Sequence, residues 1–432
     1  MNQLIKKLKQ FDWKLFIALC LLSLVPAIIQ TIETAIISTN VSTTDIDVIG
    51  QIEWFDLINE TICAFLIIPL YSVLSKILNK NKEEFSSYVF KTGLITFLLY
   101  SLFSIFVLIY AANLIKFMNP NEINLSLVNS YLSITTIAFM IGIIVSFINV
   151  VFVVIGKSIN IYIFLAVKSI LTIVCDFLII PHFGVIGVAI GNIVINLMLA
   201  IVGIIILIKE HTLKVSKFSK LDLIVFKDWA KVGVFSGVQQ FIANIVYALM
   251  ICKMVNMVAE QGNYWIANNF IWGWMLIPIF AITEVIRKDC KDGYNNLIQT
   301  NYYLIITFVV ILWCITIPLW TPFFKYVEKL ENYKQVFNIV IMLFPFYICY
   351  GFQQIPDNIF IGLGNTKYNF ISTCIINFIY YGIWYILFKT NNITFTMNTI
   401  ILMFGFGMTS SLVVSLIEEK VFLKKELKKY EN

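Results

Sequence analysis

Lys209 to Lys231, KEHTLKVSKFSKLDLIVFKDWAK, is the longest polar interval in a chain that is otherwise almost continuously apolar. Six long hydrophobic runs precede it and six follow, and the two blocks share their punctuation. Ile67-Ile68-Pro69 recurs as Leu276-Ile277-Pro278, 209 positions later. Lys82 pairs with Lys291 at the same spacing, and Gly156 with Gly364 at 208. The interval therefore reads as the joint between two copies of one unit: residues 1–208, a basic linker at 209–231, and residues 232–432.

Composition fixes the solvent of both copies. The chain is 59% hydrophobic and 13% charged, with a mean hydropathy of +0.87, against about 25% charged residues in soluble domains. Its apolar runs are long enough to cross a ~30 Å hydrocarbon core as helices. The basic start (Lys6, Lys7, Lys9, Lys14) leads into a run too long for a cleavable signal and without a small-residue cleavage site, so the first span is expected to stay. Eight scattered cysteines and two histidines show no CxxC or metal-ligand spacing, so no disulfide framework, metal site or cofactor is expected.

Twelve spans are drawn at 14–39, 53–78, 88–115, 127–155, 158–180, 184–208, 230–256, 264–286, 297–323, 335–361, 367–388 and 394–419. With the N-terminus inside, twenty-four of the 31 basic residues fall on the inner side and six on the outer. That asymmetry places both termini in the cytoplasm and explains the basic linker as a topology signal rather than a nucleic-acid or lipid surface. Six spans per copy is an even number, so both copies enter the membrane from the same side and are related by an axis along its normal. The expected fold is all-α and polytopic: twelve transmembrane helices in two six-helix bundles with pseudo-twofold symmetry. Alternating access is a use for such a duplication.

Three stretches carry a family resemblance. Pro69-Leu70-Tyr71-Ser72-Val73-Leu74-Ser75-Lys76 followed by Asn79-Lys80-Asn81-Lys82-Glu83-Glu84, Pro181-His182-Phe183-Gly184-Val185-Ile186-Gly187-Val188-Ala189, and Gly362-Leu363-Gly364-Asn365-Thr366-Lys367 resemble turns of the multidrug and toxic compound extrusion (MATE) transporters, within the wider flippase-like MOP superfamily. The resemblance implies export of organic, cationic or amphipathic solutes in exchange for Na+ or H+, in a bacterial inner membrane, by a monomer that binds no nucleic acid and is not an enzyme. The nearest alternative is a lipid-linked saccharide flippase. A flippase cavity should carry cationic residues for pyrophosphate, and Lys168 is the only basic residue placed within a span.

Carboxylates inside spans are the sharpest signal, because a charge at the helix centre costs about 2.5–3.5 kcal/mol on insertion scales. Glu33 lies in span 1; Glu53, Asp56 and Glu60 share a face of span 2, the first two reading as interfacial and Glu60 as deeper. Asp176 lies in span 5. For Asp176 the resemblance implies a cation site with a polar residue one turn earlier, Thr172, and one in span 6, Asn192. It also implies an Asp in span 1 near Val41, where this chain has none, leaving Glu33 as the only carboxylate of that span. The cation-coupling set is thus Asp176, Glu33, Glu60, Thr172 and Asn192. The second copy offers Gln239, Gln240 and Asn244 in span 7, Asn268 and Asn269 in span 8, and Gln353 and Asp357 in span 10 as substrate-binding residues. Asp357 would hold a cationic substrate, close an inner gate by pairing with a lysine, or satisfy the kink at Pro356. Trp272, Trp274, Tyr247, Tyr347 and Tyr350 are deep enough to stack on an organic cation.

Overall fold

A computed structural model describes residues 11–41, 43–80, 82–121, 124–218, 222–290, 296–390, 393–394 and 396–430. Lys291, one of the repeat-marking lysines, lies outside them, as does the side chain of its mate Lys82. Among the described residues, eleven helices are long and apolar enough to cross a membrane: Trp13–Asn40, Glu53–Lys80, Glu83–Met118, Leu125–Val154, Ile159–Phe183, Ile186–Lys209, Asp222–Met257, Asn301–Val327, Tyr333–Gly362, Lys367–Lys389 and Met397–Phe422. A bent pair, Gln261–Met275 with Ile277–Cys290, supplies the twelfth, and all twelve are numbered here in chain order as spans 1 to 12. The chain is a multi-pass, all-helical membrane protein.

The repeat is visible in the backbone. Span 2 breaks at Ile67, between the helices Glu53–Leu66 and Ile68–Lys80. Span 8 breaks at Leu276, the repeat mate of Ile67, after a π-helical turn at Ile271–Met275, and bends there by 49°. Each break lies two residues before a proline, whose missing N–H and ring disrupt the ladder. Gly156 and Gly364 end spans 4 and 10 with φ of +75° and +72°. Each is followed by the same bond, Lys157 N to Phe152 O and Asn365 N to Phe360 O, both 2.8 Å. This is the left-handed C-cap that glycine makes without steric cost.

Packing divides the chain into two compact units, residues 36–262 and residues 1–35 with 263–432. These units are not the sequence halves: span 7 packs with the spans of the first copy, and most of span 1 with those of the second. Within the first unit, span 4 is the hub, flanked by spans 3 and 6, over a core that includes Leu70, Leu74, Val89, Val151, Phe152 and Leu199. Span 7 lies flush on span 2 because it presents glycines. A Cβ at Gly233 would sit 2.4 Å from the Phe65 carbonyl oxygen, and one at Gly237 2.2 Å from the Phe65 ring. In the second unit span 10 is the hub, against spans 8, 9 and 12.

Span 7 begins at Asp222, earlier than hydropathy suggests. Its polar first turns are helical because they are paired: Lys91 of span 3 holds Asp222 at 2.9–3.0 Å, with both side chains buried. Trp229 donates its indole N–H to the Leu66 carbonyl, 3.0 Å.

Candidate functional site

In the first unit, Asp176 is 3% exposed and its Oδ2 has no hydrogen-bond partner among the described residues. Gly191 of span 6 lies beside it, and a Cβ there would be in ordinary contact with Asp176 Oδ1 at 3.9 Å. Burying an unpaired carboxylate oxygen is costly unless an ion or proton compensates it. The Thr172 hydroxyl donates to the Lys168 carbonyl of its own helix, 2.9 Å. Asn192 is half-buried one position beyond Gly191.

Glu60 instead meets span 7. Asn244 Nδ2 donates to the Leu57 carbonyl at 2.8 Å, to Thr61 Oγ1 at 3.2 Å and to Glu60 Oε2 at 3.4 Å. Gln240 Nε2 donates to Asn244 Oδ1 at 3.0 Å. Residues assigned from sequence to two different roles, coupling for Glu60 and substrate binding for Gln240 and Asn244, thus form one network between spans 2 and 7. Asp56, read as interfacial, is exposed one turn before Glu60 on the same face. The side chain of Gln239 lies outside the described ones.

In the second unit the polar site is built on span 10. Asp357 Oδ1 accepts from the Ser415 hydroxyl at 2.7 Å, and Oδ2 from Gln353 Nε2 at 2.9 Å. Gln353 Nε2 also reaches Ser411 Oγ at 3.1 Å. These partners are a hydroxyl and an amide, and among the described residues no lysine is paired with Asp357. Asn369 Nδ2 donates to the Asp357 backbone carbonyl at 3.0 Å. On the same helix, one and two turns before Gln353, Tyr350 and Tyr347 meet edge-on at 5.8 Å. Trp272 lies 6.0 Å from Tyr350, stacks on Phe280 at 5.5 Å, and donates its N–H to Tyr347 Oη at 3.2 Å. Trp274 turns instead to Thr31, 2.9 Å. Asn268 and Asn269 are half-buried just before the π-helical turn of span 8, and Asn269 Nδ2 has no hydrogen-bond partner among the described residues. Glu33 is half-buried in this unit, among the residues of span 1.

Sequence reasoning missed three acids. Glu418 and Glu419 lie three and four residues past Ser415; Glu419 is buried and accepts from Tyr303 Oη at 3.2 Å, and Glu418 Oε2 is buried without a partner. Their signal was an acidic pair at the edge of an apolar run, which reads as a helix end. Glu328, after span 9, is 3% exposed with Oε2 unpartnered; it sat in a lysine-rich loop that looked solvated. Among the described residues no group of three His, Cys, Asp or Glu could hold a metal ion.

No protein-family sequence model matches the chain, and no curated protein sequence does. Solved structures do. An inward-facing multidrug resistance MATE family transporter of the MOP superfamily superposes with a TM-score of 0.79 at 15% identity, covering 93% of this chain and 96% of that one. An outward-facing MATE transporter gives 0.66 at 15% identity, over 98% of both chains. A MOP superfamily transporter from Pyrococcus furiosus, described as having a binding pocket of reverse polarity that suggests a different function, gives 0.67 at 15% identity over 97% and 98%. The chain has the MATE fold, as the three sequence stretches led one to expect.

Proposed function

We propose that this chain is a secondary antiporter, not an enzyme, that exports organic cationic or amphipathic solutes in exchange for Na+ or H+ across a bacterial inner membrane. The observation that carries the reading is the wall of span 10. There a carboxylate held open by a hydroxyl and an amide lies along the helix from an aromatic group formed by Tyr347, Tyr350 and Trp272. Aromatic faces beside a carboxylate suit an organic cation. The coupling ion is assigned to Asp176, whose unpartnered oxygen lacks a compensating charge, with Glu60 and its Asn244 network as a second acidic station. Thr172, Asn192 and Glu33 complete the proposed coupling set. Gln240, Asn244, Asn268, Asn269, Gln353 and Asp357, together with Gln239, form the proposed substrate surface. The sequence halves act as the two lobes, and ion binding to one conformation shifts the balance between the two. The chain works as a monomer with both termini in the cytoplasm.

The test is efflux of a fluorescent organic cation from proteoliposomes under an imposed Na+ or H+ gradient. Asp176→Asn should abolish gradient dependence, and Asp357→Asn should weaken cation binding by about tenfold, the size of one charge-assisted contact. Gradient-driven efflux unchanged in Asp176→Asn would remove the coupling assignment. Absence of any gradient-driven cation transport would favour the saccharide flippase.

A further inference from the structure

The basic interval between spans 6 and 7 has a shape as well as a charge. Lys214 N donates to the Ser86 carbonyl at 3.1 Å, and the Ser87 and Ser216 hydroxyls meet at 2.6 Å. The segment is therefore laid down on the start of span 3 rather than looping freely. Leu213 packs inward and lines a partly open cavity of about 200 Å³ in the first unit, walled also by Val89, Phe90, Leu94 and Phe97 of span 3, by Ile144 and Phe147 of span 4, and by Ile204 and Leu207 of span 6. Thr96 is the one polar side chain on the wall. A buried water needs two to four polar partners, so the cavity selects an apolar occupant.

The residues beside the cavity have the opposite character. Lys214 directly follows Leu213, and Lys209 lies two positions past Leu207. Lys209, Lys214 and Lys217 are exposed and make no ion pair among the described residues. Between and beyond them Val215 is 78% exposed and Phe218 is 51% exposed. Lysines alternating with outward-facing apolar side chains suit the boundary between headgroups and acyl chains. Of the nearby acids, Glu210 is paired with Lys157 and Asp222 with Lys91, and Glu83 and Glu84 lie at the exposed start of span 3.

We propose that the cavity among spans 3, 4 and 6 and the linker above it form a binding site for one anionic phospholipid, with an acyl chain in the cavity and the phosphate against Lys209, Lys214 and Lys217. The linker that the sequence explains as a topology signal then also fastens a lipid to the spans on which it lies. The site is independent of what the protein transports.

The probe is the purified full-length protein in a nonionic detergent, melted with added dioleoylphosphatidylglycerol, with dioleoylphosphatidylcholine, or with inorganic phosphate alone. The anionic lipid should raise Tm by at least ~2 °C over the zwitterionic one, as a ligand bound only to the folded state does. The triple variant Lys209→Gln, Lys214→Gln, Lys217→Gln should erase that difference, and Ile204→Phe, which fills the cavity, should shrink both lipid shifts. Equal shifts from the two lipids, or a triple variant that keeps the difference, would overturn the site. A phosphate shift equal to that of phosphatidylglycerol would make this a free-anion site and also sink the proposal. Native mass spectrometry of the wild type gives a reading that needs no variant: phosphatidylglycerol should be retained in preference to phosphatidylcholine, and equal retention would count against it.

Discussion

Spans 2 and 8 are copies that break at the same repeat position, and the two breaks are fastened by different partners. The carbonyl of Leu66 and that of its mate Met275 each accept a tryptophan indole N–H at 3.0 Å. For Leu66 the donor is Trp229 of span 7, and for Met275 it is Trp313 of span 9. Span 7 gives more: Ser236 donates to the Ala64 carbonyl at 2.7 Å, and Gly233 and Gly237 let the helix lie against Phe65. At the second break span 1 approaches through Trp274 and Thr31. Duplication conserved the need created by a proline in a membrane helix, namely carbonyls that require donors where no water is present. It did not conserve the supplier. A break fastened by a first-of-repeat helix in one unit and by a third-of-repeat helix in the other leaves the two copies free to respond differently to load.

The largest test of that difference lies at the base of each first-of-repeat helix. Span 7 is pinned by the buried Lys91–Asp222 pair, whose side chains are 7% and 2% exposed. Span 1 is preceded by Asp12, paired at 2.6 Å with Lys288 in the open. Removing one partner of a buried pair strands the other, at a cost of roughly 3–5 kcal/mol; an exposed pair is screened and contributes little. Asp222→Asn should lower the thermal midpoint in detergent sharply, whereas Asp12→Asn should leave it unchanged. Equal effects would mean that the two anchors are equivalent and the contrast is false.

A pH titration sharpens the same contrast at the far end of the third spans. Asn119 and Glu328 are repeat mates, both buried, but Asn119 donates to Gln51 Oε1 at 2.6 Å while Glu328 keeps an oxygen unpartnered. Burial pushes the Glu328 carboxyl up to about 8 from its ordinary 4.5. A raised carboxyl pKa means the folded state holds its proton longer than the unfolded chain does, so stability is whole below about 4.5, declines as pH rises, and has lost the full amount above 8. Glu328→Gln copies the neutral chemistry of its mate and should flatten that decline, a gain of up to roughly 5 kcal/mol at alkaline pH from 1.36 kcal/mol per pKa unit. Denaturation midpoints of the wild type and variant that run parallel from pH 5 to 9 would show that Glu328 is ionised and compensated.

At the breaks themselves, Trp229→Phe and Trp313→Phe each leave one buried carbonyl without its donor, a loss of about 1–3 kcal/mol apiece. Ser236 bonds the Ala64 carbonyl, two residues before Leu66, and holds span 7 in place, so Trp229→Phe should be the milder. The reverse order, read from chemical denaturation, would make Trp229 the sole fastening of span 7.

How much of this was legible follows from what each feature requires. The breaks, the glycine caps and the twelve spans are local: Pro69, Pro278, Gly156 and Gly364 dictate them within a turn or two, so the sequence shows them directly. The partners are not local. Nothing in the run from Asp222 to Trp229 says that its charge is buried against Lys91, since a polar helix start and a solvated linker have the same composition. For the same reason nothing in span 7 says that Gln240 bonds Asn244 and that Asn244 in turn bonds Glu60 and Thr61 of the first copy. Asp357 was found because a carboxylate deep in a span is conspicuous; Glu419 was missed because two acids before a lysine mimic a helix end.

The smallest expected effect is the cleanest test of equivalence. Gly156 and Gly364 have φ of +75° and +72°, and a Cβ at either would meet nothing within 4 Å. Alanine at each position therefore meets backbone strain alone, about 1–2 kcal/mol for an L-residue held left-handed. Packing differs around the two caps: the second lies by Phe360, Tyr368 and Phe422, which form a separate aromatic cluster with centroids 4.8–6.0 Å apart. If the caps are the same device, Gly156→Ala and Gly364→Ala should lower the denaturation midpoint equally despite those surroundings. Unequal losses would place the difference in the aromatic cluster, since the dihedral angles and the capping bonds are matched.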